Sequence, residues 1–202
     1  MANLNLRAQR SYDQQTLLND HSVNWKDFDR QSLMEAVHRS QEEAPITRLR
    51  HPEVRYEVTD HCNAECIMCP RDSHEFGRPH GIMDHEKFKK SLDEVVGLGC
   101  KQVVLQGFGE PFIDKKLEQK VEYSKSKGLR TYITTNASLL TRARSERIIK
   151  AGLDELRISF YGMRKETYER VMVGLDFDVA MKNLMDFLEV REELGSKLPR
   201  LY

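Results

Sequence analysis

Apolar residues in this chain fall into short β-prone runs separated by helical stripes, and the alternation sets in near residue 53. Residues 54–58, 102–106, 130–134 and 156–160 are the runs, and Val103-Val104-Leu105 is the most continuous. Continuity of that kind suits a strand covered on both faces. Between the runs the apolar spacing changes to the helical period. Asp84 is a predicted N-cap for a helix that carries Phe88, Leu92, Val95 and Val96 and is stopped by Gly97 and Gly99. Residues 114–127 read as a charged helix with Leu117, Val121 and Tyr123 on its inner face, a solvated outer face, and Gly128 at its end. Residues 141–151 read as a third helix around Ile148 and Ile149, closed by Gly152. Helical material at 165–171 and 178–194 precedes residues 199–202, which look like the run-in to a fifth strand. Residues 74–81, rich in Gly, Pro and charge, read as a loop.

Strands alternating with helices at this spacing predict βαβ units and a parallel sheet with right-handed crossovers. Four units and the start of a fifth amount to part of a barrel, so the fold class is α/β, a partial parallel (β/α) barrel. Such a sheet leaves an open edge, and the expectation is a fragment of a longer barrel. Residues 1–50 are polar and partly helical: Trp25, Phe28, Leu33, Met34 and Val37 share a stripe that Asn24 could cap. They form a separate helical extension, packed on the main domain or serving as a partner-binding arm. Residues 44–47 mark the boundary to a core domain at 51–202.

Composition narrows the function. Acidic and basic residues number 32 each, so no general basic field suggests nucleic acid. No apolar run approaches the roughly 18 residues of a membrane span. The polar N-terminus lacks the apolar stretch of a signal peptide, and the expectation is a cytoplasmic protein with reduced thiols. In that setting clustered cysteines are more often metal ligands than disulfide partners. Three of the four cysteines, Cys62, Cys66 and Cys69, fall in one loop as Cys-x3-Cys-x2-Cys. A zinc site closes with four ligands, and His61, His74, His80, His85 or Cys100 could supply the fourth. A [4Fe–4S] cube held at three irons keeps one position open. Cys100, alone before a run, reads as a small buried residue.

Ligands gather at the carboxyl ends of strands in parallel α/β folds, and four candidate motifs sit at such ends. The cysteine loop follows the first run, and Gly107-Phe108-Gly109-Glu110-Pro111 follows the second. Thr134-Thr135-Asn136 ends the third, and Ser159 lies at the end of the fourth.

The cysteine spacing resembles the cluster signature of the radical S-adenosylmethionine (SAM) superfamily, whose core barrel has six βα units. The ending from Cys66 to Arg71 is similar to members that carry a SPASM or twitch domain, with Met68 where an aromatic residue is usual. Gly109-Glu110-Pro111 resembles the family's Gly-Gly-Glu-Pro, with Phe108 in place of a glycine. Thr135-Asn136-Ala137 resembles its Thr-Asn-Gly turn. Ser159 resembles its strand-four serine near the SAM ribose or carboxylate.

The resemblance implies that Cys62, Cys66 and Cys69 hold a [4Fe–4S] cluster whose open iron chelates the amino nitrogen and carboxylate oxygen of SAM. Reductive cleavage would give methionine and a 5′-deoxyadenosyl radical that takes a hydrogen atom from a substrate. It implies SAM contacts at Met68, Gly109, Glu110, Thr135, Asn136 and Ser159, with Gly109 and Glu110 answering the ammonium. Arg164 reads first as a solvated helix start and otherwise as a holder of the SAM carboxylate, Asp60 and His61 either orient the cysteine loop or belong to a surface turn, and Arg71 could pair with a carboxylate or with the cluster's negative field. The implied partners are a peptide, sugar or other small-molecule substrate and an electron donor of reductase, flavodoxin or ferredoxin type. The implied chemistry is oxidation, epimerisation or maturation. A zinc- or cluster-binding scaffold without catalysis is the alternative.

Overall fold

The computed structural model describes residues 52–72 and 80–202. The expected helical extension at 1–50 and most of the 74–81 loop lie outside the described residues. Five strands form one sheet: β1 (Glu53–Tyr56), β2 (Gln102–Leu105), β3 (Arg130–Thr135), β4 (Glu155–Ile158) and β5 (Arg200–Leu201). All are parallel and lie side by side in chain order. The connecting helices are α1 (His85–Gly97), α2 (Leu117–Ser126), α3 (Arg142–Lys150), α4 (Lys165–Val171) and α5 (Phe177–Glu193). Because the strand order never reverses, every right-handed crossover carries its helix to the same face.

Register shows which face that is. Tyr56, Leu105, Ile133, Leu156 and Leu201 pair in one row across all five strands. This row packs into the core against Phe88 and Leu92 of α1, Leu117 and Val121 of α2, Ile148 of α3 and Phe187 of α5. One residue earlier, Arg55, Val104, Tyr132, Glu155 and Arg200 form the next row. Successive side chains alternate faces, so this second and mostly polar row looks away from the helices.

The caps follow side-chain chemistry. Asp84 accepts hydrogen bonds from the Glu86 and Lys87 amides at 3.0 Å each. Thr141 and Asp176 cap α3 and α5 in the same way. Each such cap satisfies donors that the first turn leaves unpaired. β1 ends at Tyr56, earlier than the expected 58, because the chain then leaves β2 for a new partner. The Met83 amide donates to the Val58 carbonyl at 2.8 Å, and Thr59 bridges Ile82. α2 begins at Leu117, later than the expected 114. Pro111 opens a separate 3-10 turn, Pro111–Ile113, and the Asp114 side chain accepts from the Lys116 amide at 2.8 Å.

One expectation is corrected. The charged residues of 114–127 do not form a wholly solvated face, since α2 lies between α1 and α3. Lys120 is fully buried and ion-paired with buried Asp114. Glu118 is buried too and accepts from Arg144 Nε at 2.6 Å. The same guanidinium donates to the Phe112 and Asp114 carbonyls at 2.9 and 3.2 Å, tying α3 to the turn after β2.

A buried pair broken on one side leaves an uncompensated charge. Lys120→Met is therefore expected to cost about 3–5 kcal/mol in urea unfolding. An unchanged midpoint would contradict the pairing.

Candidate active site

The loops after β1, β2, β3 and β4 meet at the carboxyl end of the sheet and enclose a cavity of about 290 Å³. That is just under the usual small-molecule range of about 300–1,000 Å³. Its wall contains Cys62, Cys66 and Cys69 from the first loop and Gly109 and Glu110 from the second. Thr135 and Asn136 come from the tip of β3, and Ser159 from just beyond β4.

The first two loops touch backbone to backbone. A Cβ on Gly109 would lie 2.3 Å from the Thr59 carbonyl oxygen, 2.6 Å from that of His61 and 2.8 Å from the Asp60 Cα. No side chain fits there, so glycine is required for the approach. The next amide, of Glu110, donates to the His61 carbonyl at 2.9 Å.

Glu110 is buried, and its carboxylate accepts three hydrogen bonds from neighbours. Oε1 accepts from Thr135 Oγ1 at 2.7 Å and from the Phe112 amide at 3.1 Å, and Oε2 accepts from the Asn136 amide at 2.8 Å. Burial pushes the carboxyl above its ordinary range, against the pull of these donors and of Arg144. The tip of β3 is in turn tied to the cysteine loop, because Asn136 Nδ2 donates to Asn63 Oδ1 at 3.1 Å. Asn63 Nδ2 donates to Ser138 Oγ at 2.8 Å. Ala137, where the resemblance has glycine, is left-handed with φ 63°. The Ser159 amide donates to the Thr135 carbonyl at 2.8 Å, which draws in the fourth loop.

The cysteine loop is held from below by the end of α4. The Glu65 amide donates to the Val173 carbonyl at 2.8 Å and the Ile67 amide to that of Val171 at 3.0 Å. Cys66 is thus fixed between two anchored peptides. Ala64, Tyr168, Met172, Leu175 and Ala180 form a small apolar cluster beneath, and Cys62 and Cys66 pack on it. Arg71 spans the loop, with Nη2 donating to the Ala64 carbonyl at 2.9 Å. At the loop entrance, burial alone would push the Asp60 carboxyl up, but the Gly81 amide and His80 outweigh it and hold it low.

Burial pushes the Cys62 and Cys66 thiols up. Negative charge on Glu110 and Cys69 adds to this at Cys62, and charge on Cys62 and Cys69 adds at Cys66, while Arg71 opposes it at both. Three soft donors that feel one another's charge suit an iron–sulfur centre that removes their protons on binding. Among the described residues, no three His, Cys, Asp or Glu side chains converge as the ligands of a single ion do. Nor do His61, His80, His85 or Cys100 line the cavity; His74 lies outside the described residues. Cys100 is buried below β2, with Sγ 3.3 Å from the Gln102 carbonyl, at the opposite end of the strand.

Of the other residues singled out in the sequence, Met68 lies on the cavity wall, half-exposed. Arg164 does not line the cavity; it is exposed and precedes α4 without capping it. Sequence reasoning missed Met172, Tyr161 and Gln106, which complete the wall. Met172 comes from the end of α4, and no local pattern marks a residue brought in by tertiary packing.

The model of the radical SAM superfamily matches residues 56–192. The chain is 27% identical over 147 residues to the Fe-coproporphyrin III synthase of Methanosarcina barkeri, covering 72% of this chain and 36% of that protein. It is 35% identical over 118 residues to the PqqA peptide cyclase of Bradyrhizobium diazoefficiens, covering 58% of this chain and 30% of that protein. The chain thus spans about a third of the length of these relatives. Among solved structures, it resembles Streptococcus suis SuiB bound to S-adenosylmethionine with a TM-score of 0.60 at 18% identity, over 88% of this chain and 41% of that one.

Gly109→Ala is expected to cost about 1–3 kcal/mol through overpacking and to abolish exchange protection at the Glu110 amide. Urea unfolding and amide hydrogen exchange would measure both. Retained protection would show that the junction is not as tight as the contacts imply.

Proposed function

Since the chain belongs to the radical SAM superfamily, we propose that the cavity at its strand tips is where a [4Fe–4S] cluster and S-adenosylmethionine meet. The observation that carries this reading is the shared wall of three thiols, Gly109, Glu110, Asn136 and Ser159. Cys62, Cys66 and Cys69 would hold the cluster, leaving one iron without a protein ligand. Once reduced by an external donor, such a cluster would supply the one electron for homolysis of SAM to methionine and a 5′-deoxyadenosyl radical.

The chain's own residues supply position and shelter. A carboxylate offers about four acceptor sites and Glu110 fills three, so Oε2 keeps capacity for an ammonium in the cavity. Gly109 lines the same wall, and its carbonyl would be the second acceptor for that ammonium. Thr135, Asn136 and Ser159 would face the ribose and carboxylate, and Met68 the adenine. The backbones of Thr135, Asn136 and Ser159 are already fixed by hydrogen bonds, so little ordering cost remains for them on binding. Glu110 is buried and the three thiols are half-buried, and exclusion of water protects a radical from quenching.

The substrate would be a peptide, a sugar or another small molecule. The named relatives act on chemically distant molecules, and fold alone does not choose among them. The electron would come from a reductase or a flavodoxin- or ferredoxin-type donor. Among the described residues no helix is long and apolar enough to cross a membrane, consistent with action in the cytoplasm.

Anaerobic reconstitution with iron and sulfide is expected to give broad visible iron–sulfur absorbance. After reduction, SAM is expected to yield 5′-deoxyadenosine. Stoichiometric zinc with no iron uptake would instead support the scaffold reading. Cys66→Ala is expected to abolish cluster binding and Cys100→Ala to leave it intact. Loss of iron in Cys100→Ala would overturn the three-ligand assignment.

A further inference from the structure

Tyr168 is fully buried, and its hydroxyl has no hydrogen-bond partner among the described residues. A buried hydroxyl without an acceptor is costly and calls for an explanation. Its ring is held firmly, packed at 4.6 Å on Phe160 and at 5.6 Å on Phe177. It cannot swing to water without breaking that cluster. Its position is set by the contact that fixes Cys66. The Met172 amide donates to the Tyr168 carbonyl at 2.7 Å, so Tyr168 lies one turn before Met172 on α4. The peptides either side of Cys66 bond to Val171 and Val173, which flank Met172. Tyr168 and Cys66 share the same small apolar cluster.

We propose that Tyr168 is a positioning residue for the cluster, its hydroxyl donating a hydrogen bond to the sulfur of Cys66 once that sulfur is a metal-bound thiolate. This rests on the cluster assignment above. Without the cluster the hydroxyl makes no hydrogen bond among the described residues, to sulfur or to any other acceptor. A thiolate on iron keeps negative charge and accepts better. Donation to a cluster sulfur stabilises the more negative, reduced state and raises its potential. Tyr168 therefore makes the cluster easier to reduce without touching SAM or substrate.

The test is Tyr168→Phe in the full chain, which removes one oxygen and keeps the ring. The reconstituted variant is expected to bind as much iron as the parent. Its midpoint potential, titrated under EPR, should shift to a more negative value, and its terminal iron–sulfur stretching band in resonance Raman should move. Tyr123→Phe, a substitution on α2 that removes a hydroxyl bonded to Asp93 of α1, is the control and is expected to move neither. In the metal-free chain, Tyr168→Phe should unfold at the same or a higher temperature, since it deletes an unsatisfied group.

Equal potentials and equal Raman bands for Tyr168→Phe and its parent, with iron bound in both, would overturn the proposal and leave the cluster assignment standing. If the parent itself takes up no iron, the proposal falls together with that assignment. Those two failures are told apart by the parent's iron content.

Discussion

A carboxylate shut away from water must be met by donors or it destabilises the fold, and Glu110 meets that demand with groups from two loops. Its own turn gives the Phe112 amide, and the tip of β3 gives the Thr135 hydroxyl and the Asn136 amide. Its backbone amide reaches a third loop at His61. The fourth joins through the Ser159 amide and the Thr135 carbonyl. The geometry of the cavity thus depends on one buried group whose donors cannot be withdrawn singly. The cysteine loop meets this junction at His61 and is held on its other side by the Val171 and Val173 carbonyls.

The division of labour between the two parts of each strand follows. The row from Tyr56 to Leu201 is apolar and carries the packing against the helices. Beyond the strand ends, Glu110, Asn136 and Ser159 are polar and line the cavity. The helices contribute to the site indirectly. α3 sends Arg144 to the turn that displays Glu110, and α4 lends its last carbonyl, with that of Val173 just beyond, to the peptides flanking Cys66. Rigidity at the rim suits a centre whose donors must be held in place before a reactive species forms.

Much of this was legible in the sequence because the signals are local. The strands announce themselves as β-prone runs, Asp84 as a cap, and the cysteine trio by its spacing. Gly109 could be flagged from its motif, but only the fold shows that Thr59 and His61 carbonyls occupy the space a methyl would need. What the sequence hid is tertiary. Lys120 looks like any surface lysine of a charged helix until α1 and α3 close over it and Asp114 answers it. Met172 and Tyr168 carry no motif, and their closeness to Cys66 arises from a chain crossing about a hundred residues away. β1 ends early because Val58 and Thr59 bond residues 81–83, a pairing no periodicity signals.

The account stands on the claim that the three thiols and the strand tips are one site with one iron left open. Mössbauer spectroscopy of the chain reconstituted with iron-57, with and without S-adenosylmethionine, tests this most directly. The expected result is a single iron of the cube changing its isomer shift on addition of SAM while the other three stay as they were. A spectrum of four irons indifferent to SAM would contradict the account.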